Sequence, residues 1–180
     1  FTTSTLQQEA SRKLGFSARR TMVVAQQLYE GLELGSEGPV GLITYMRTDS
    51  VRIAEEAQAE AAELIRSFYG SAFCPETPPQ YKTKAAAAQE AHEAIRPAVA
   101  GRRPETVKAF LNRDQLRLYQ LIWSRFIASQ MRPAILDTVA ADIAAGEYLC
   151  RANGSTIKFA GFLEVYQEGR DEESRDEEGL

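Results

Sequence analysis

Residues 112–139 read NRDQLRLYQLIWSRFIASQMRPAILDTV, and in the middle of this stretch the pattern of the chain changes. Asn112 followed by Gln115 has the spacing of a capping box, in which each side chain satisfies a free backbone N–H of the first helical turn. Leu116, Tyr119, Leu121, Ile122, Phe126 and Ile127 then recur at helical spacing. The helix must end by Met131-Arg132-Pro133, because proline lacks the amide proton and clashes with the preceding turn. From Ala134 the residues suit extended chain. Leu136, Val139 and Ile143 belong to one run and Tyr148-Leu149-Cys150-Arg151 to another. Asn153-Gly154 signals a two-residue hairpin turn leading into Thr156-Ile157-Lys158-Phe159. Gly161 suggests a bulge, with Phe162 to Tyr166 extending the sheet. The predicted fold class is α+β: a helical domain over 1–132, then a short antiparallel β segment within 133–180 whose edges lack partners.

Upstream of that boundary the chain is helical in pattern. Ser4-Thr5-Leu6-Gln7 has capping-box spacing, and Gly15 is a natural stop. Ser17 caps a second run, with Val24 and Leu28 on one face, that ends at Gly31. Gly35-Ser36-Glu37-Gly38-Pro39 is loop chemistry, and Val40 to Tyr45 is an apolar run compatible with a buried strand. Thr48, Asp49 and Ser50 suit the start of a helix over Ile53 to Tyr69, closed by Gly70. Residues 71–84 carry three prolines and should be irregular. A helical turn or two is expected over Ala85 to Ile95, and Pro104 can start a brief helix.

Composition bounds the class. The 180 residues are 44% hydrophobic and 26% charged, ordinary for a soluble globular chain. At this length folding removes roughly 70% of the unfolded chain's surface from water, enough for a core. No apolar run approaches the ~20 residues of a membrane span, so no membrane partner is expected. The two cysteines, Cys74 and Cys150, fit no metal spacing and suggest free thiols in a cytoplasmic setting. Net charge is −4, but residues 168–178 hold seven acids against two arginines, which leaves 19 basic and 18 acidic side chains elsewhere. That acidic segment reads as a solvated loop or tail. Bulk charge therefore demands no nucleic-acid partner. Any such partner must be met by a local constellation.

Two clusters carry chemistry. In Ile43-Thr44-Tyr45-Met46-Arg47-Thr48-Asp49-Ser50, an extended backbone sends Tyr45, Arg47 and Asp49 to one face and Thr44, Met46 and Thr48 to the other. A guanidinium fork holds phosphate oxygens, and a phenol oxygen can attack phosphorus to form an ester. A tyrosine ordinarily titrates near ~10, so such a nucleophile needs a cation, metal or base beside it. The same spacing also suits a half-buried strand tyrosine with Arg47 paired to Asp49. In Gln89 to Pro97, His92 is the sole histidine and stands four residues from Arg96, so that on a helix both would share a face and suit phosphate contact. The plain alternative is an exposed turn with a Glu93–Arg96 pair. Arg12, Lys13, Arg19 and Arg20, with Lys82, Lys84, Arg102 and Arg103, offer scattered cations for a backbone of phosphates or for solvent.

Taken in order, Phe1-Thr2-Thr3-Ser4-Thr5-Leu6-Gln7-Gln8-Glu9-Ala10, Gly41 to Ser50, Ala88 to Pro97, Leu118-Tyr119-Gln120-Leu121-Ile122-Trp123 and Gly161-Phe162-Leu163 resemble successive blocks of the bacterial type IA DNA topoisomerases. Met46 resembles the topoisomerase I branch, and Ala98 departs from the Thr or Ser usual after Ile-Arg-Pro. The resemblance implies that Tyr45 forms a 5′-phosphotyrosine link with one DNA strand and that Arg47 holds the scissile phosphate. It assigns His92 to DNA binding at the cleavage site, where Arg96, by its spacing from His92, is expected to add a second DNA contact, and it makes the strands from 133 onward part of an arch domain. It further implies a toprim domain, with a lysine and acidic ligands for Mg2+, that this sequence lacks. The chain is thus expected to be a fragment, inactive alone, of an ATP-independent enzyme that relaxes negatively supercoiled DNA through a single-stranded segment. A non-catalytic module for single-stranded nucleic acid and a purely helical interaction domain are the alternatives.

Overall fold

The computed structural model describes residues 1–81 and 92–168. Its architecture is α+β, as expected. The helical body is built from α1 (Thr3–Leu14), α2 (Ala18–Glu30), α3 (Glu55–Phe68), α4 (Pro104–Val107) and α5 (Arg113–Ser129). Among the described residues two strand pairs accompany them: the two-residue strands β1 (Leu32–Glu33) and β2 (Pro39–Val40), and the long strands β3 (Ile135–Ala145) and β4 (Tyr148–Phe159).

Local chemistry sets the helix ends. Ser17 accepts from the Arg20 amide to start α2, and Asn112 with Gln115 forms the reciprocal box that starts α5. The box that starts α1 lies two residues earlier than its Ser4 spacing suggested: Thr2 and Thr5 close it. Gly15 ends α1 at φ +67, the left-handed conformation in which glycine carries no penalty. Leu6, Phe16, Leu28, Leu118, Tyr119 and Ile122 interlock as a fully buried core where α1, α2 and α5 meet. Gln115 also donates to Gln27 across α2 and α5, and Arg20 pairs with Asp114 at 2.6 Å.

Four expectations are corrected. The run from Val40 to Tyr45 is not a continuous strand. Only Val40 joins β2, and Ile43 makes an isolated bridge to Pro97, while Leu42 and Ile43 are buried. The helix expected from Ile53 begins at Glu55 with Ala54 before it and no side-chain cap, because Thr48 and Ser50 are spent inside the preceding loop. The β hairpin turns at Gly146-Glu147, with Gly146 at φ +63, and not at Asn153-Gly154. That placement lets all 11 residues of β3 find partners in one continuous two-stranded ladder. Asn153 and Gly154 instead oppose Ala140 and Val139. Finally, Gly161–Glu164 is a 3-10 turn and not another strand. Gly161 sits at φ +51, and a Cβ there would stand 2.6 Å from the Arg132 and Pro133 backbone. The acidic stretch lies mostly outside the described residues, as do residues 85–91 of the expected turn before Pro97.

Candidate active site

The segment bearing Tyr45 is held by hydrogen bonds from both sides. On one side, Thr44 accepts the Arg96 amide proton at its Oγ1 (3.0 Å), donates that hydroxyl to the Ala94 carbonyl (2.7 Å), and gives its own amide to the Arg96 carbonyl (2.9 Å). The Ala98 amide donates to Leu42. On the other side stands Thr3, in the first turn of α1. Its Oγ1 lies 2.9 Å from the Met46 carbonyl and 3.2 Å from the Thr48 carbonyl, and it accepts from the Thr48 amide at 2.9 Å. Ser50 donates its amide to Thr48 Oγ1, and Arg52 donates its amide to Ser50 Oγ. The carbonyls and amides of a loop that would otherwise be solvated are satisfied by hydroxyls at 3, 44, 48 and 50.

This lacing imposes the alternation read from the sequence. Met46, Thr48 and Ser50 are buried, and Arg47 and Asp49 are exposed. Among the described residues no ion pair joins Arg47 to Asp49. The Tyr45 ring is half-buried and meets two others. His92 lies 5.4 Å away, centroid to centroid, tilted by 41°, and Tyr29 from the last turn of α2 lies 5.4 Å away, edge-on at 67°. Tyr45 and His92 are therefore brought together, with Arg47 exposed two residues along the chain.

Residues 92–97 are not helical, so His92 and Arg96 do not share a helix face. The Arg96 side chain is only 11% exposed and pairs with Glu93 at 2.6 Å. It also donates to the Pro97 carbonyl at 2.8 Å. Arg96 thus fastens the turn that carries His92, while His92 itself is exposed beside Tyr45. Of the scattered cations, Arg20 and Arg102 are committed to Asp114 and Glu37, and Arg103 lies over the Phe68 ring. Lys82 and Lys84 fall outside the described residues.

Thr3 and Tyr29 were not singled out as site residues by sequence reasoning. Thr3 sits inside a quoted block with nothing to mark it among its neighbouring hydroxyls, and Tyr29 reads as one more position near an apolar helix face. Among the described residues no group of three or more His, Cys, Asp or Glu side chains is arranged to hold a metal ion, and no helix is long and apolar enough to cross a membrane.

The arrangement suits attack on a phosphodiester: a half-buried tyrosine at the edge of the core, an exposed guanidinium two residues on, and an imidazole beside the ring. The family described as DNA topoisomerase matches residues 1–179 of this chain. The full-length topoisomerase I of Thermotoga maritima, solved in a monoclinic crystal form, is 40% identical, with a TM-score of 0.80. The match covers 96% of this chain and 28% of that one, so the chain spans well under half of that enzyme's length.

Proposed function

Because this chain belongs to the DNA topoisomerase family, among the bacterial type IA enzymes, we propose that Tyr45 is the nucleophile of transient single-strand DNA cleavage. The phenol oxygen attacks phosphorus and forms a 5′-phosphotyrosine ester. The bond from phosphorus to the 3′ oxygen breaks, and that oxygen leaves as a hydroxyl carrying a proton. Religation runs the same exchange backwards. One ester replaces another, so relaxation of negative supercoils needs no ATP. What remains for the protein is placement and charge stabilisation.

Arg47 holds the non-bridging oxygens of the scissile phosphate, for which an exposed fork beside the phenol is suited. His92 contacts the same strand, and Arg96 serves DNA binding by fixing the turn beneath it. The Mg2+ ligands and the toprim domain lie in the rest of the enzyme, and the isolated chain is inactive. The setting is cytoplasmic, at the nucleoid.

The observation that carries this reading is the meeting of Tyr45 and His92 at 5.4 Å from segments 47 residues apart, with Arg47 exposed alongside. A denaturant-quenched cleavage assay on the complete enzyme tests it. Tyr45→Phe should abolish the covalent adduct and spare DNA binding, and an adduct surviving in that variant would overturn the assignment. A wild-type enzyme that binds single strands without ever forming an adduct would instead favour the nucleic-acid-binding module. Relaxation of plasmid by the purified chain with magnesium would contradict the need for further domains.

A further inference from the structure

The last turn of α2 delivers a second tyrosine to the site, and the backbone holds it there. Tyr29 stands edge-on to Tyr45, with ring centroids 5.4 Å apart and planes at 67°. The residue is 40% exposed, so it is not an ordinary core residue. Its backbone is fastened to the segment that carries Tyr45. The Leu42 amide donates to the Leu28 carbonyl at 2.7 Å, and Gly41 passes so close that a Cβ there would lie 2.8 Å from the Tyr29 carbonyl oxygen. Only a residue without a side chain lets the end of α2 approach this near. Tyr29 and Tyr45 therefore ride on one locally rigid unit, and the quadrupoles of the two rings favour the edge-to-face geometry observed.

We propose that Tyr29 is a positioning residue for strand cleavage, its ring edge setting the orientation of the Tyr45 phenol toward the scissile phosphate. The inference rests on Tyr45 being the nucleophile. A half-buried ring with one neighbour removed can swing about its side-chain bonds, and in-line attack tolerates little misplacement. Among the described residues no hydrogen bond joins the Tyr29 hydroxyl to Tyr45, and the contact is one of rings. Ring bulk and edge are what matter.

The experiment measures single-turnover cleavage and single-strand affinity in the complete enzyme. Tyr29→Ala should slow cleavage ~10-fold or more while affinity changes less than about twofold, and Tyr29→Phe should retain the full rate. An unchanged rate in Tyr29→Ala would overturn the proposal. So would equal loss in Tyr29→Phe, which would move the role to the hydroxyl. Loss of affinity at an unchanged cleavage rate would assign Tyr29 to base stacking and overturn it too. Should Tyr29→Ala prove unfolded by circular dichroism, Tyr29→Leu decides: slow cleavage in a folded variant supports the ring brace, and full rate refutes it. Tyr45→Phe runs in parallel, because an adduct in that variant would refute the nucleophile itself and not the brace.

Discussion

Thr3 fixes the backbone on both sides of Arg47 through one hydroxyl, which bridges the carbonyls of Met46 and Thr48 and accepts the Thr48 amide. Thr3→Val keeps the shape and removes the hydroxyl's bonds, leaving the Thr48 amide and the Met46 carbonyl short of a partner while the Thr48 carbonyl keeps the Thr3 amide. The expected cost is about 1–3 kcal/mol in urea unfolding, with Thr3→Ser restoring most of it. In the complete enzyme the same valine should slow cleavage more than it weakens DNA binding, since Arg47 loses its aim and not its charge. Tyr119 makes a different prediction. Burial, ahead of its charged neighbours, raises its phenol above the ordinary 10.0. Its hydroxyl meanwhile donates to the Arg102 carbonyl at 2.6 Å. A phenol whose folded pKa exceeds its unfolded one adds stability that is fully present below the unfolded value and is lost as pH climbs from there through the folded value. Chemical denaturation should therefore report a contribution from this group that does not vary with pH near neutrality and that falls away above about pH 10. Tyr119→Phe should be less stable by ~1 kcal/mol at neutral pH, and its alkaline decline should be shallower.

Among the elements, α5 shows how far local chemistry reaches. Its box of Asn112 and Gln115 was readable because both partners lie within one turn, and Asn112→Ala should cost ~1 kcal/mol in thermal unfolding. The caps and buried faces of α2 and α5 were legible for the same reason. The start of α3 was not. Thr48, Asp49 and Ser50 look like caps, but Thr48 and Ser50 accept loop amides, and Ala54 precedes the helix without help. The hairpin was misread because Asn153-Gly154 is the stronger local turn signal, and only the length of the whole ladder moves the turn to Gly146-Glu147. At the candidate site, the alternation of Met46, Thr48 and Ser50 inward against Arg47 and Asp49 outward was readable from a period of two. The approach of His92 and Tyr29 to Tyr45 was not, because it depends on Thr44 bonding to residues 94 and 96 and on Gly41 passing the end of α2.

Taken whole, the molecule joins a packed helical body to a hairpin that stands outside it. Val139, Ile143, Leu149 and Ile157 are each more than half exposed, and they lie on both faces of the β3–β4 ribbon. Such a ribbon adds little to the core of the body. Residues after it do return: Tyr166 is 5% exposed and donates to Glu9 of α1 at 2.5 Å, under Lys13, whose ammonium lies 3.6 Å from the ring centroid. Burial, followed by the Glu9 contacts, raises that phenol, while burial lowers the Lys13 ammonium against the opposing pull of Glu9. The neck is closed by the Phe162 amide donating to Arg132 at 3.0 Å and by Phe73 against Phe159 at 4.9 Å. We place the domain boundary at 132/133, and the two attachments make that proposal testable. Replacing residues 137–157 with a short Gly-Ser linker should shift the melting temperature of the body by less than ~4 °C, equivalent to under about 1 kcal/mol. Tyr166→Phe removes the phenol's bond to the buried Glu9 carboxylate, which keeps Arg12 and Lys13 beside it, and should cost ~1 kcal/mol. If excision of the ribbon proved the costlier of the two, the hairpin would be a structural part of the helical body and the boundary would be misplaced.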